Sequence, residues 1–303
     1  MNSASSNTVD SYENLRSRIE RMLNKRTAQQ RNENQLSFDL AEEDRIDLSG
    51  MKGPSQNISD FLDFIVDATP KGDVYLFGGL IRDMALSGKK GFNSDVDIVV
   101  DGNWTEITRY IEGRGSKKNR FGGYRLWIGE WPVDIWNARE TWAVKNGYVK
   151  YQGIASLTET TILNWDAVLM NWRKKTFICK DSYLDDLSHG VMNIVLPENP
   201  NPTGMAARVF RHLSLKDAQK VTVRTADYLS KCTERYSFMQ LREYEIKSYR
   251  NSQIEHSIYR FFAHLNKIKH LPLRIRYTAA IDWAEEQGLQ LPFKQKKLDF
   301  FLE

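Results

Sequence analysis

The segment FGGLIRDMALSGKKGFNSDVDIVVDG, residues 77–102, constrains the fold more than any other part of the chain. The apolar run that leads into it, DVYLF, predicts a buried strand that ends in a Gly-Gly turn, and VDIVV at 96–100 predicts a second strand. Asp95 and Asp97 are two residues apart, so both carboxylates lie on one face of that strand, about 6.6 Å apart along it. This spacing suits a pair of divalent ions.

A third carboxylate lies on a predicted hairpin. YRLWI (124–128) and WPVDIW (131–136) read as two strands around a Gly-Glu turn, and Asp134 lies in the second. An acid between apolar strand residues is costly unless it is paired or binds a metal. Mg²⁺ prefers hard oxygen ligands and shares its shell with substrate phosphates. The sequence therefore predicts Asp95, Asp97 and Asp134 as metal ligands and catalytic residues.

The Gly78-Gly79 turn lets a phosphate approach the backbone closely. A helix that begins near Leu80 offers free N–H groups and the positive end of its dipole to that phosphate. Arg82, in the first turn of this helix, can bind a triphosphate with two N–H donors. On its own, a Gly-Gly pair is usually a turn, and an Asp-x-Asp motif is usually a solvated strand end. The occurrence of both motifs in this order, together with Arg-Asp and the acid of the hairpin, is much rarer in sequences and favours a catalytic site.

The 303 residues suggest two compact units at roughly 100 to 200 residues per domain. We predict a helical extension and linker over 1–57, a catalytic head over 58–196, and a helical domain over 197–303 that follows the boundary PENPNPTG. The fold class is α/β (α+β): a mixed-sheet head, an all-helical C-terminal domain and an N-terminal helix. The apolar residues at helix spacing in that extension are Leu15, Ile19, Met22 and Leu23.

Composition excludes several protein classes. With 41% apolar and 12% aromatic residues the chain is too hydrophobic to be disordered. No run reaches the ~18 to 20 apolar residues of a membrane span, and MNSASSNTVDSYE lacks a signal-peptide pattern, so we expect no membrane partner and a cytoplasmic location. The isolated Cys179 and Cys232 exclude a disulfide scaffold and a thiolate zinc cluster. A net charge of +4 permits a nucleic-acid partner without arguing for one.

FGGLIRD followed by SDVDIVV resembles the head domain of the class II CCA-adding enzymes and bacterial poly(A) polymerases, within the DNA polymerase β nucleotidyltransferase superfamily. The resemblance covers residues 74 to about 190 well and the helical remainder weakly. It implies two Mg²⁺ ions on Asp95, Asp97 and Asp134, and an NTP as substrate. The nucleotide-binding residues that it implies, together with the basic residues of the first C-terminal helix, are Gly78, Gly79, Arg82, Asp83, Arg139, Asn164, Arg208 and Arg211.

The chain departs from the family downstream of the hairpin. The Arg-Glu pair at 139–140 resembles the element that follows the third-carboxylate strand, but R-R-D-F-T-I-N-A is replaced by TETTILNWDAV, where Asn164 matches and the arginines and aspartate do not. The base-reading motif E-D-x-x-R has no intact counterpart. With Arg208 in the place of its arginine, Gly204 and Met205 stand where the acids belong. We therefore expect transfer chemistry without CCA addition.

The expected function is Mg²⁺-dependent transfer of NMP from an NTP to an acceptor hydroxyl, with an RNA (tRNA) 3′ end as the first candidate. Basic residues interleaved with Tyr244, Tyr249, Tyr259 and Tyr277 are compatible with RNA binding, and equally with ordinary amphipathic helices. Two alternatives stay open: a toxin-antitoxin or defence-type transferase that modifies tRNA or a protein hydroxyl, and a catalytically idle RNA-binding module. The oligomeric state stays unassigned.

Overall fold

The computed structural model describes residues 8–24, 57–88, 94–113, 116, 118–119, 121–129, 131–215, 218–289, 291 and 301–302. The chain divides into two compact units. The sheet unit contains the described residues up to 161 and residues 165–184, and the helical unit contains residues 162–164 and the described residues from 185 onward. Most of the predicted linker, residues 25–56, lies outside the described residues. The domain boundaries after residues 57 and 196 stay a prediction.

The sheet unit combines helices with one mixed sheet. Its helices are α1 (Tyr12–Leu23), α2 (Ile58–Asp67), α3 (Gly79–Leu86), α4 (Trp104–Glu112) and α5 (Trp142–Lys145). Its strands are β1 (Asp73–Phe77), β2 (Val96–Asp101), β3 (Tyr124–Ile128), β4 (Trp131–Asn137), β5 (Leu169–Asn171) and β6 (Phe177–Ile178). The strand order is β3-β4-β2-β1-β5-β6, with β2 and β4 parallel and the other neighbours antiparallel. This confirms the predicted mixed-sheet head, its first two strands and its hairpin.

The central strands are apolar on both faces because both faces are covered. Leu76 and Ile98 are register partners on one face and are fully buried. Tyr75 and Val99 are partners on the opposite face, where they belong to the hydrophobic core. Asp97 is two residues from Val99 on the same strand and therefore shares this second face. An acid at this position interrupts a surface that is otherwise built for packing.

Helix α1 is part of the sheet unit. Its predicted apolar face is confirmed, since Leu15, Ile19, Met22 and Leu23 are all buried. The Arg18 side chain donates to the carbonyl of Met84 (3.2 Å), and the Val9 N–H, just before the helix, donates to the carbonyl of Ala85 (2.9 Å). Both acceptors lie near the end of α3, the helix that follows the Gly-Gly turn. The N-terminal helix therefore supports the element that shapes the predicted site.

We expect Ile19→Ala to lower the free energy of unfolding of the sheet unit by about 2–5 kcal/mol, because it leaves a cavity between α1 and its neighbours. Urea denaturation of the full chain measures this loss. Glu13→Ala is the matched control on the same helix, because the Glu13 side chain is 83% exposed and its change is expected to stay within about 0.5 kcal/mol. Equal midpoints for Ile19→Ala and the parent would contradict the docking of α1.

The division between the two units after residue 184 falls within α6 (Tyr183–Ser188). The helices that follow in the helical unit are α7 (Pro202–Leu215), α8 (Val223–Arg235), α9 (Phe238–Tyr249), α10 (His256–Lys267) and α11 (Leu273–Glu286). The helical pattern is confirmed, with one addition: β7 (Val191–Met192), β8 (Lys220–Thr222) and β9 (Phe301–Leu302) form a short parallel sheet. Three-residue and two-residue strands are too short to leave a periodic signal in the sequence. Within the described residues, no helix is long and apolar enough to cross a membrane.

Candidate active site

Strand register brings the three predicted carboxylates to one end of the sheet. Asp97 lies opposite Phe77 in the antiparallel β1–β2 pair and beside Asp134 in the parallel β2–β4 pair. Register partners on neighbouring strands are about 4.8 Å apart and share a face. Asp95 precedes β2 and is two residues from Asp97. Because Gly78 follows Phe77, the Gly-Gly turn lies at this same end.

A fourth charged side chain, that of Arg125 on β3, lies among these acids. Its Nε donates to Asp134 Oδ1 (2.7 Å), and its Nη2 donates to Asp95 Oδ2 (2.8 Å) and to the second oxygen of Asp134. The side chains of Arg125, Asp95 and Asp134 are 14%, 12% and 23% exposed. Burial alone would lower the pKa of Arg125, but the hydrogen bond and charge of Asp134 and the charges of Asp95 and Asp97 raise it above its ordinary value. The guanidinium is therefore a permanent cation in an acidic site.

Arg125 has no role in the sequence prediction, although the signal for it is present. The two strands of the hairpin are separated by two residues, so Ile128 pairs with Trp131 and, counting back, Arg125 pairs with Asp134. Gly129 has φ 59°, the left-handed conformation that such a turn favours. Register counting on the predicted hairpin therefore finds this ion pair without a structure.

Arg82 is 4% exposed and lies inside a hydrogen-bonded network. Its Nε donates to Asp83 Oδ1 (2.9 Å), its Nη2 donates to Ser94 Oγ (2.9 Å), and its Nη1 pairs with Asp166 just before β5. The Ser94 hydroxyl in turn donates to Asp83 Oδ2 (2.7 Å). Because Ser94 is bonded to Asp95 in the chain, this network fixes the start of the Asp-x-Asp segment. These contacts favour a positioning role, and the triphosphate contacts of Arg82 and Asp83 stay a prediction.

The Gly-Gly turn has a structural reason of its own. Gly78 adopts φ 65° and donates its N–H to the carbonyl of Val168 (3.0 Å). A Cβ on Gly79 would lie 2.7 Å from Ser94 Oγ. A side chain at either position would thus disturb the backbone turn or the Ser94 contacts. The phosphate contacts of Gly78 and Gly79 stay predictions.

Arg139 lies toward the other end of the sheet, in a 3-10 turn after β4. Its side chain is 69% exposed, with Nε 4.0 Å from a carboxylate oxygen of Asp101 and the guanidinium carbon 4.9 Å from the ring centroid of Tyr151. Asp101 is four residues beyond Asp97 on β2, about 13 Å along the strand. The structure therefore does not bring Arg139 to the three carboxylates, and its nucleotide contact stays a prediction.

Asn164 belongs to the helical unit, where its amide connects two segments. Its Nδ2 donates to Asp186 Oδ2 (3.0 Å) and to the carbonyl of Val191 (3.1 Å), and its Oδ1 accepts the N–H of Asn193 (2.9 Å). Both amide donors are used in these contacts. The observed role of Asn164 is to hold residues 162–164 beside β7, and its nucleotide contact stays a prediction.

Arg208 and Arg211 both lie on α7 in the helical unit. Arg211 is buried, pairs with the fully buried Glu245 of α9, and has its guanidinium carbon 4.2 Å from the ring centroid of Tyr249. Arg208 lies one turn earlier, with its Nε 3.5 Å from His212 Nε2. Arg211 therefore fastens α7 to α9. The nucleotide contacts of Arg208 and Arg211 stay predictions.

The oxygen atoms of Asp95, Asp97 and Asp134 are of the type that binds a hard divalent cation. Asp95 and Asp134 already share one cation, the Arg125 guanidinium, and Asp97 lies beside Asp134. Carboxylate oxygens are the ligands that Mg²⁺ takes from proteins. As arranged here, no group of three or more His, Cys, Asp or Glu side chains in the described part of the chain is placed to hold a metal ion. In this arrangement the cation that Asp95 and Asp134 contact is the Arg125 guanidinium.

Comparisons with known proteins identify the fold. Neither the protein-family models nor the curated proteins contain a match to this chain. Among solved structures the chain is similar to the Thermotoga maritima CCA-adding enzyme complexed with tRNA-CCA, at 22% identity and TM-score 0.50 over 77% of this chain and 58% of that chain. It is also similar to a CCA-adding enzyme in complex with CTP, at 21% identity and TM-score 0.50 over 77% of this chain and 59% of that chain.

The chain has a CCA-adding-enzyme-like nucleotidyltransferase fold. This confirms the resemblance drawn from FGGLIRD and SDVDIVV, and the fold class of a mixed-sheet head with a helical region. The chain spans less than two thirds of the length of these two enzymes. At 21–22% identity this similarity describes the fold alone. Substrate, acceptor and metal are therefore argued from this chain's own residues.

Proposed function

We propose that this protein is a Mg²⁺-dependent nucleotidyltransferase that transfers NMP from an NTP to an acceptor hydroxyl and releases pyrophosphate. The observation that carries the proposal is the convergence of Asp95, Asp97 and Asp134 beside the Gly-Gly turn, within a nucleotidyltransferase fold. Acids beside apolar strand residues are costly to retain, and the single arginine that pairs with them, Arg125, carries less charge than the three acids. Such an excess of negative charge suits a metal site and gives an idle module no advantage.

The residues of the site have separate roles in an in-line displacement at the α-phosphate of the NTP. Asp95, Asp97 and Asp134 would hold Mg²⁺, which when bound lowers the pKa of the acceptor hydroxyl and neutralises charge on the triphosphate and the leaving pyrophosphate. Asp134 is the candidate to accept the proton of the acceptor hydroxyl. The Gly-Gly turn and the start of α3 bind the triphosphate. Arg82, Asp83 and Ser94 keep the Asp-x-Asp segment in place.

The proposed acceptor is an RNA 3′ end, with tRNA as the first candidate. A solved enzyme of similar fold is complexed with tRNA, and another is in complex with CTP. The helical unit exposes basic side chains that can contact phosphates: Lys247, Arg250, Lys267, Lys269 and Arg274. Tyr249 and Tyr277 are buried, so this surface supports phosphate contacts rather than stacking of bases on those two rings.

We propose that the protein does not build CCA. A Cβ on Gly204 would lie 2.4 Å from Asn201 Nδ2 and 2.5 Å from the Tyr244 hydroxyl, so an acidic side chain cannot be placed there without moving its neighbours. An arginine such as Arg208 donates hydrogen bonds but accepts none. It can read acceptors on G or C, whereas the amino group of A goes unread. We therefore expect a preference for one NTP, or poor discrimination.

The test supplies each radiolabelled NTP separately to the purified protein with tRNA that ends before its CCA, with total RNA and with total protein. The expected result is labelling of RNA that requires Mg²⁺ and is abolished by EDTA. The nucleotides added to the RNA are not expected to be C, C and A in that order. Ordered addition of two C and one A would overturn the specificity proposal. Labelling of protein alone would favour the toxin-antitoxin or defence-type alternative. No labelling of any acceptor, with Mn²⁺ also tried, would favour the idle module.

A further inference from the structure

We propose that Arg125 is a built-in competitor of the metal ion: its guanidinium holds the oxygens of Asp95 and Asp134 that a divalent cation needs, and so sets how much metal the protein requires. This inference rests on the proposed function, because it concerns the metal site of the nucleotidyltransferase. The contacts that carry it all lie within the sheet unit. They involve both oxygens of Asp134 and one oxygen of Asp95.

The backbone favours this pairing. Arg125 and Asp134 are directly opposite on antiparallel strands and therefore share a face, with β-carbons about 5 Å apart. A slip of one residue by either strand would turn that strand's side chains to the other face, so Arg125 and Asp134 would no longer share one. The hairpin turn at Gly129 opposes such a slip, because two residues connect the strands. The guanidinium is therefore held at the carboxylates by the fold itself.

The charges show why one arginine does not complete the site. Three carboxylates, Asp95, Asp97 and Asp134, carry three negative charges, and Arg125 carries one positive charge. Arg125 therefore offsets only part of the charge of these acids. A divalent ion bound by all three acids needs Asp134, whose two oxygens Arg125 already holds with two N–H donors, a strong bidentate arrangement. Metal binding that includes Asp134 must therefore displace the guanidinium from at least one of its oxygens.

Removal of the guanidinium is expected to make metal binding tighter. Hydrogen bonds to charged groups are strong enough that breaking them costs a competing ligand about ten- to a hundredfold in affinity. Arg125→Gln should therefore bind Mn²⁺ about tenfold or more tightly than the parent. Arg125→Lys keeps the positive charge, but one ammonium cannot copy the planar two-donor contact with Asp134. We expect a smaller gain in the same direction for Arg125→Lys.

The experiment titrates Mn²⁺ alone into the full chain and measures free Mn²⁺ by electron paramagnetic resonance, without NTP or acceptor. Arg109→Gln is the matched control, because Arg109 is an exposed arginine on α4 of the same unit and its loss removes the same charge. Asp97→Asn reports whether Mn²⁺ binds at the carboxylates. The melting temperature with and without Mn²⁺ is a second readout, since a ligand stabilises the folded state by an amount set by its affinity.

The proposal holds if the two Arg125 variants bind Mn²⁺ more tightly than the parent, gain more in melting temperature, and Arg109→Gln does neither. Equal Mn²⁺ affinity of the parent and both Arg125 variants, with weaker binding by Asp97→Asn, would overturn it and leave the proposed metal site standing. Weaker binding by the Arg125 variants would also overturn it, because Arg125 would then help to arrange the ligands. No Mn²⁺ binding by any of these proteins would remove the metal site of the proposed function itself.

Discussion

Asp97→Asn is expected to reduce nucleotidyl transfer by about 10²- to 10⁴-fold while the fold stays intact. Loss of a metal ligand removes several kcal/mol of transition-state stabilisation, and about 1.4 kcal/mol corresponds to a factor of ten in rate. Asp97 is a cleaner choice than Asp95 or Asp134, because those two also form the Arg125 ion pairs. Asparagine keeps the shape of the side chain and can accept one hydrogen bond, so the β1–β2–β4 register should survive.

The measurement is the initial rate of NMP incorporation at saturating Mg²⁺, with urea denaturation as the check on folding. Asp73→Asn is the matched control, because Asp73 lies on β1 of the same sheet, four residues from the strand end that faces Asp97. Its carboxylate pairs with the exposed Lys174 (2.8 Å) and accepts the Tyr75 hydroxyl (3.4 Å), and asparagine can still accept both contacts, so we expect a loss of only about 1 kcal/mol. An Asp97→Asn variant that labels its acceptor at the parent rate would remove Asp97 from the metal site.

The sequence predicts the sheet elements of this site because they have strong periodic signals. DVYLF and VDIVV are apolar runs bounded by glycine or acidic residues, and they form β1 and β2. The hairpin strands follow a short Gly-containing connection and form β3 and β4. With these strands in place, the convergence of Asp97 and Asp134 requires that β2 and β4 are parallel neighbours in the observed register. That neighbour relation came from the family resemblance rather than from the residues alone.

The contacts between side chains were less predictable because they join distant parts of the chain. Asp166 pairs with Arg82, which lies 84 residues earlier in the sequence, and no local sequence pattern predicts such a pair. Ser94 reads as an ordinary loop residue beside the Asp-x-Asp motif, yet it contacts both Arg82 and Asp83. Motif matching assigned Arg82 to the substrate, since a motif records which residues recur and not which atoms they contact. Burial and hydrogen-bond partners favour a positioning role for Arg82, and its triphosphate contact stays a prediction.

Arg82→Ala is expected to destabilise the sheet unit by about 3–5 kcal/mol, the range for breaking a buried ion pair. Burial alone would lower the pKa of Arg82, but the charges of Asp166 and Asp83 outweigh it and raise the pKa above its ordinary value. Removal of the guanidinium leaves two buried carboxylates without this partner. Urea denaturation measures the loss, and the exposed Arg109→Ala on α4 is the control that should stay within about 0.5 kcal/mol.

Arg82→Lys separates a positioning role from a direct contact with the triphosphate. Lysine keeps the charge between Asp83 and Asp166, so the variant should fold, but a single ammonium cannot make all the contacts of the guanidinium, including the one to Ser94. Because Ser94 fixes the start of the Asp-x-Asp segment, we expect kcat to fall with little change in KM for the NTP or the acceptor. A rise in KM for the NTP alone, with kcat and stability unchanged, would show that Arg82 binds the triphosphate and that its buried contacts open when the NTP binds.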